Sequence, residues 1–109
     1  MNTTLSPASA AALAAYARNI TKSHAGWEVE LCSAAAGAPA AEILAGEPLR
    51  GLRVEGDDLL LEFGVPPGRP HRLALAGPLE FSRHHSGRSL EIHLQGPRGT
   101  QHVLVLSPP

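Results

Sequence analysis

The chain has 109 residues, of which 43% are hydrophobic and 17% charged, and its net charge is −1. This length suits a single domain with one modest core, and the composition excludes a disordered chain. The near-neutral charge argues against long-range attraction to nucleic acid or anionic lipid, and a single cysteine, Cys32, excludes an intramolecular disulfide. The cysteine usage fits a reducing cytoplasm, so we expect a cytoplasmic protein. No apolar run reaches the roughly 20 residues of a membrane span, so we expect no membrane partner.

An N-terminal helix is predicted over about residues 7–23. Ser6 is a suitable N-cap, Pro7 occupies the first turn, and Gly26 follows as a stop signal. The apolar positions recur at helical spacing and form a narrow stripe, which suits a helix lying on a sheet. The stripe consists of Leu13, Tyr16, Ala17 and Ile20.

Six antiparallel strands are predicted after the helix, at about residues 27–32, 49–54, 59–63, 71–76, 89–95 and 101–106. The stretch between the first two strands reads as a loop, with a short strand around residues 42–44 left open. A turn at Gly56-Asp57 pairs Leu52 with Leu61 and, in the same register, Val54 with Leu59. The next strand then places Leu73 and Leu75 opposite Leu61 and Leu59.

The last predicted hairpin turns through GPRG, residues 96–99. With a four-residue turn, Ile92 opposes Val103 and Leu90 opposes Val105, which gives a matched apolar face. The same register places His93 directly opposite His102.

These elements predict an α+β fold, with one N-terminal helix followed by a five- or six-stranded antiparallel meander. Closure of the sheet into a small barrel is the alternative arrangement, because a closed sheet has no free edges. In this register Leu60, Leu104 and Leu106 fall on the face opposite the main core, so the helix or another subunit must cover them.

Five segments follow the predicted helix in this order: AGWEVEL, PLRGLRV, DDLLLEFG, HRLALAGPLEF and LEIHLQGPRGTQHVLVL. Their order resembles a small bacterial family known only as a domain of unknown function. The likeness that they carry covers about residues 11–107. The most specific elements are PLRG at residues 48–51 and GPL at residues 77–79, and both look structural. The resemblance implies a helix followed by antiparallel strands, and it implies no catalytic residue.

Four of the six histidines lie within residues 84–102, and this crowding predicts a metal site. As cross-strand neighbours, His93 and His102 would share a zinc, nickel or copper ion, and His84 or His85 would supply a third nitrogen. Glu91 would add a carboxylate or orient a ligand. Without a metal, two paired imidazoles would resist being protonated together. The stability of the fold would then decrease as the pH drops below about 6. The alternative is that the histidines lie on a solvated sheet face.

Nucleic-acid binding and catalysis have less support in the sequence. The chain has only four Phe, Trp and Tyr residues to stack on bases. Ser86 and Ser89 lie near histidines without a G-x-S-x-G motif, and Glu28 and Glu30 disfavour a thiolate at Cys32 beside His24. The arginines of the second half either gather on one face or pair with acids: Arg50, Arg53, Arg69, Arg72, Arg83, Arg88 and Arg98.

The sequence therefore predicts a noncatalytic cytoplasmic domain that binds a protein partner or a second copy of itself. The contact would be an apolar sheet face, with Leu60, Leu104 and Leu106, or an exposed strand edge. The alternative is a histidine-based metal-binding protein with no other cofactor, and a third hypothesis is weak RNA binding.

Overall fold

The computed structural model of the chain describes residues 7–109, with side chains from residue 11 onward. One helix is followed by seven antiparallel strands, which confirms the α+β class. A short 3-10 turn at Pro97–Gly99 precedes the last strand. The elements are α1 (Pro7–Ser23), β1 (Glu28–Ala34), β2 (Ala41–Glu55), β3 (Asp58–Phe63), β4 (His71–Leu75), β5 (Glu80–Ser86), β6 (Ser89–Gln95) and β7 (Gln101–Ser107).

Helix α1 has the predicted bounds and buries the predicted stripe. Leu13, Ala17 and Ile20 are buried in the core, and Tyr16 is half-buried with its ring stacked on Phe81 of β5. The helix is followed by Gly26, whose φ of +88° is the left-handed conformation that glycine adopts readily. The predicted N-cap, Ser6, lies outside the described residues. Within residues 7–109, no helix is long and apolar enough to cross a membrane.

The seven strands form one sheet in the order β4-β3-β2-β1-β7-β6-β5, and the sheet is not closed. The predicted count of five or six strands is wrong, because the sequence predicts a loop where the structure has strand β5. The stretch left open after β1 belongs to β2, a 15-residue strand that pairs with β1 through its first half and with β3 through its second. The two free edges of the sheet are those of β4 and β5.

The hairpins from β2 to β4 have the predicted register. Leu52 opposes Leu61, and Leu61 opposes Leu73 in the next strand. Leu59 likewise pairs with Leu75, and both are buried. A tight turn and strict alternation were enough to define this part of the sheet.

The predicted register of β6 and β7 is wrong by one residue. The connection has five residues instead of four, because Gln95 pairs with Gln101 and the Gly96 N–H donates to the Thr100 carbonyl over 2.9 Å. A one-residue shift moves every side chain of a strand to the other face. Ile92 therefore opposes Leu104 instead of Val103.

This shift corrects the predicted interface. Leu104 and Leu106 are each 0% exposed and belong to the core, so they form no surface. Leu60 is half-buried on β3 between Arg53 and Ala74, its direct neighbours on β2 and β4. Leu60 therefore lies between a charged and a small side chain and does not extend an apolar patch.

The core is entirely apolar among the described residues, with side chains from α1 and from every strand except β5. Helix α1 packs against the second half of β2, which has no β1 neighbour beyond Leu49. There the Thr21 hydroxyl lies 2.8 Å from both the N and the O of Leu52 and replaces a strand neighbour.

Candidate functional site

The candidate site lies on the outer face of β5, β6 and β7, which we define as the face opposite the core. Ile92 and Leu94 point into the core, so the alternate residues Glu91 and His93 point outward. Ser82 and His84 of β5 share that face, because Ser82 pairs with His93 and His84 pairs with Glu91.

Two histidines and a carboxylate meet on this face. The rings of His84 and His93 lie edge to face, with centroids 4.8 Å apart and an interplanar angle of 73°. The Nε2 atom of His93 lies 3.1 Å from Oε1 of Glu91, and the side chains are 44% and 34% exposed. When Nε2 carries the proton it donates to Glu91, and the Nδ1 lone pair of His93 is free to bind a ligand. We refer to His84, His93 and Glu91 as the histidine cluster.

The predicted pair of His93 and His102 does not form. His102 is opposite Leu94 and on the core side of β7, where its Nδ1 contacts the Ser33 hydroxyl at 2.7 Å. Burial lowers the pKa of His102 below the ordinary value of 6.5. The register shift separates the two histidines, since His93 faces Val103 instead.

His84 and His85 were predicted in a loop and instead belong to edge strand β5. Neighbouring positions in a strand point to opposite faces, so only His84 reaches His93. His85 faces the helix side of β5, where its charge contributes to a lowered pKa of His24 after the larger effect of burial. A strand at residues 80–86 was therefore the information missing from the sequence interpretation.

A groove of about 320 Å³ adjoins the histidine cluster. Its nine lining residues are a block of three consecutive positions on each of β5, β6 and β7. Phe81, Leu94 and His102 form the middle cross-strand row, and this row contributes mainly its backbone to the floor of the groove. The side chains of the rows on either side point outward. The outward side chains are Glu80, Ser82, His93, Gln95, Gln101 and Val103.

The outer face is acidic. Continuing from β7 to β1, the outward residues include Glu28 and Glu30, which alternate with buried Val29 and Leu31. The ion pairs of the arginines lie on the other half of the sheet, where Arg53 and Arg72 contact Glu62. A face with carboxylates and imidazoles favours cations over anions.

The histidine cluster has the donor types of a transition-metal site but not the finished geometry. Across residues 7–109, no three His, Cys, Asp or Glu side chains are placed to hold a metal ion as they stand. The exposed ring of His84 would need to rotate so that one nitrogen of each histidine reaches within about 2.1 Å of the same ion.

The predicted serine candidates lie away from this cluster. Ser86 and Ser89 face each other across the β5–β6 turn, and the Ser89 hydroxyl contacts that of Ser107 at 3.1 Å. Cys32 is half-buried opposite Val103.

Comparison with protein-family models, curated proteins and solved structures found no match to this chain.

Proposed function

We propose that the chain is a noncatalytic domain that binds a divalent transition-metal ion through the histidine cluster on its outer face. The observation that supports this proposal is the contact between the rings of His84 and His93, whose centroids lie 4.8 Å apart. The carboxylate of Glu91 lies beside them and is hydrogen-bonded to His93. Imidazole nitrogens are suitable ligands for zinc, nickel and copper.

The three side chains have different roles in this proposal. His84 and His93 supply one nitrogen each, and Glu91 orients the ring of His93 by accepting its second N–H. Water completes the coordination, as expected for an exposed site. The acidic residues Glu28, Glu30 and Glu80 add long-range attraction for a cation.

Zinc titration of untagged protein, followed by calorimetry, tests the proposal. We expect one ion per chain, with at least about tenfold weaker binding in His84→Ala and in His93→Ala, since each loses a ligand. Glu91→Gln should weaken binding by about tenfold, because it removes an orienting partner. His71→Ala is the matched control, since it removes an exposed histidine from the other edge strand, β4. Unchanged zinc affinity in both His→Ala variants of the cluster would overturn the proposal.

The free edge of β5 favours a second candidate function, a protein-interaction module that binds a second copy of the chain. Seven residues of β5 pair with β6 on one side, and the sheet ends there. An unpaired edge presents backbone N–H and C=O groups to any strand that can align with it. In this second candidate function the contact is the β5 edge and not the predicted leucine face, because Leu104 and Leu106 are buried in the core.

Light scattering at tens of micromolar tests this second function, and we expect a dimer. Ser82→Lys, on the exposed edge strand, should shift the population to monomer, because an edge lysine disfavours strand pairing. Ala74→Lys makes the same change on the exposed surface of β4 and should leave the dimer intact. A wild-type monomer at that concentration would exclude edge pairing. A cytoplasmic location and the resemblance to a small bacterial family stay predictions from the sequence.

A further inference from the structure

A second cleft lies on the other side of β5, between this strand and the C-terminal half of α1. We call it the α1–β5 cleft, and its volume is about 210 Å³. It is separate from the histidine cluster, because alternate residues of β5 point to opposite faces. The residues that line it are Tyr16, Asn19, Ile20, Ser23, His24, Arg83, His85 and Leu90.

The cleft gathers groups that carry or can carry positive charge. The guanidinium carbon of Arg83 lies 5.2 Å from the centre of the Tyr16 ring, which holds the side chain over an aromatic face. His24 and His85 are close enough to repel each other when protonated. Arg83 forms no ion pair among the described residues.

No carboxylate belongs to the two segments that line the cleft. Residues 16–24 and 83–90 contain no Asp or Glu, whereas Arg83, His24 and His85 line the cleft. This local excess of positive charge contrasts with the net charge of −1 for the whole chain. The carbonyls at the C-terminal end of α1 carry a partial negative charge of only about half a unit, so their repulsion of an anion is weak. One of them, the Asn19 carbonyl, already accepts a hydrogen bond from the Ser23 hydroxyl.

We propose that the α1–β5 cleft binds a phosphoryl group, with Arg83 as its charged anchor. The planar guanidinium offers paired N–H donors that match two oxygens of a phosphate. The Asn19 amide lines the opposite wall and adds a neutral donor. A phosphate dianion carries more negative charge than a carboxylate, so the Arg83 guanidinium attracts it more strongly.

The test is an NMR titration of the full chain with inorganic phosphate, in the presence of EDTA so that metal binding does not contribute. We expect saturable shifts in the amides of residues 16–24 and 83–90. A separate titration with methyl phosphate distinguishes free phosphate from a phosphomonoester as the ligand. If the cleft leaves one phosphate oxygen exposed, both compounds bind; if it encloses all four oxygens, only inorganic phosphate binds. Acetate should bind at least about tenfold more weakly because it carries one charge and only two oxygens.

Two substitutions decide the proposal. Asn19→Asp keeps the shape of an exposed helix residue but places a negative charge in the cleft, and it should weaken phosphate binding at least about tenfold. Arg83→Gln should weaken binding by about tenfold or more, with partial recovery in Arg83→Lys. Arg69→Gln, at an exposed position in the β3–β4 loop, is the control and should bind like the wild type.

The variants also separate this proposal from the metal site, because His84→Ala should bind phosphate normally. If Arg83→Gln fails to fold, Asn19→Asp still decides the outcome. Equal phosphate affinity in wild type and Asn19→Asp overturns the proposal, as does acetate binding as tight as that of phosphate.

Discussion

The hydroxyl of Thr21 in α1 replaces a neighbouring strand for Leu52 in β2. Oγ1 of Thr21 accepts the N–H of Leu52 over 2.8 Å and lies 2.8 Å from its carbonyl oxygen. The second half of β2 needs such a partner, because β1 leaves it after Leu49, whose N–H donates to the Trp27 carbonyl. One side chain thus connects the helix to the point where the sheet divides.

Thr21→Val tests this connection. Valine has nearly the same shape but no hydroxyl, so the backbone groups of Leu52, itself 5% exposed, lose their partner. We expect the free energy of unfolding in urea to fall by about 1–3 kcal/mol. Thr21→Ser keeps the hydroxyl and should lose less than half as much. Equal stability of Thr21→Val and the wild type would contradict the structural role of this contact.

The register of β7 can be tested by paired truncations. Leu104 is fully buried opposite Ile92, so Leu104→Ala should cost about 2–5 kcal/mol of unfolding free energy through the cavity it leaves. Val105 is half-buried on the outer face, so Val105→Ala should cost about 1 kcal/mol or less. The register predicted from the sequence requires the opposite order of the two losses.

The hydroxyl of Tyr16 is buried, and no hydrogen-bond partner for it is found among the described residues. Burial raises the pKa of Tyr16, and the nearby Arg83 charge acts in the opposite direction. Tyr16→Phe keeps the ring stacked on Phe81 and removes the unpaired group, so unfolding free energy should stay equal or rise by about 1 kcal/mol. Tyr16→Leu should lose the stacking and destabilise the fold. A loss above about 1 kcal/mol in Tyr16→Phe would show that the hydroxyl has a partner.

Stability should fall as the pH falls from about 7 to about 5. Burial lowers the pKa of His102, and burial together with the charge of His85 lowers that of His24. The unfolded chain therefore binds protons first as the pH drops below 6.5, which favours unfolding until the folded histidines are protonated too. The paired imidazoles expected from the sequence give the same direction, but burial is the cause here.

Urea midpoints measured across this range test the effect. His102→Gln should make the midpoint less dependent on pH without abolishing the dependence, because His24 remains. His71→Gln removes an exposed histidine and should keep the wild-type slope. A midpoint that rises on acidification would show the sign to be wrong.

Edge strand β5 shows why part of the fold escaped sequence interpretation. A strand is recognised by apolar residues that alternate toward a core, and none of the residues Glu80–Ser86 is buried. Its middle, Ser82 to His85, is polar on both faces. Its conformation depends instead on pairing with β6, whose three buried residues anchor the hairpin.

The register of β7 was ambiguous for a different reason. Val103 and Val105 alternate with Leu104 and Leu106, so both faces of the strand are apolar and either could point inward. The decision comes from the connection to β6, where Arg98 adopts a left-handed φ of 59° and five residues are used instead of four. That conformation has no clear signature in the sequence, since Arg seldom adopts it.

The sequence by itself determined the α+β class, the buried face of α1 and the leucine ladder from Leu52 through Leu61 to Leu73. These features depend on residue periodicity and on a tight turn, which act within a few residues along the chain. Only the tertiary structure decided that β5 is a strand and which face of β7 is buried. As a consequence, the histidine that contacts His93 is His84 and not His102. Those outcomes depend on backbone pairing between strands and on one loop length, and both are selected by the packing of the whole core.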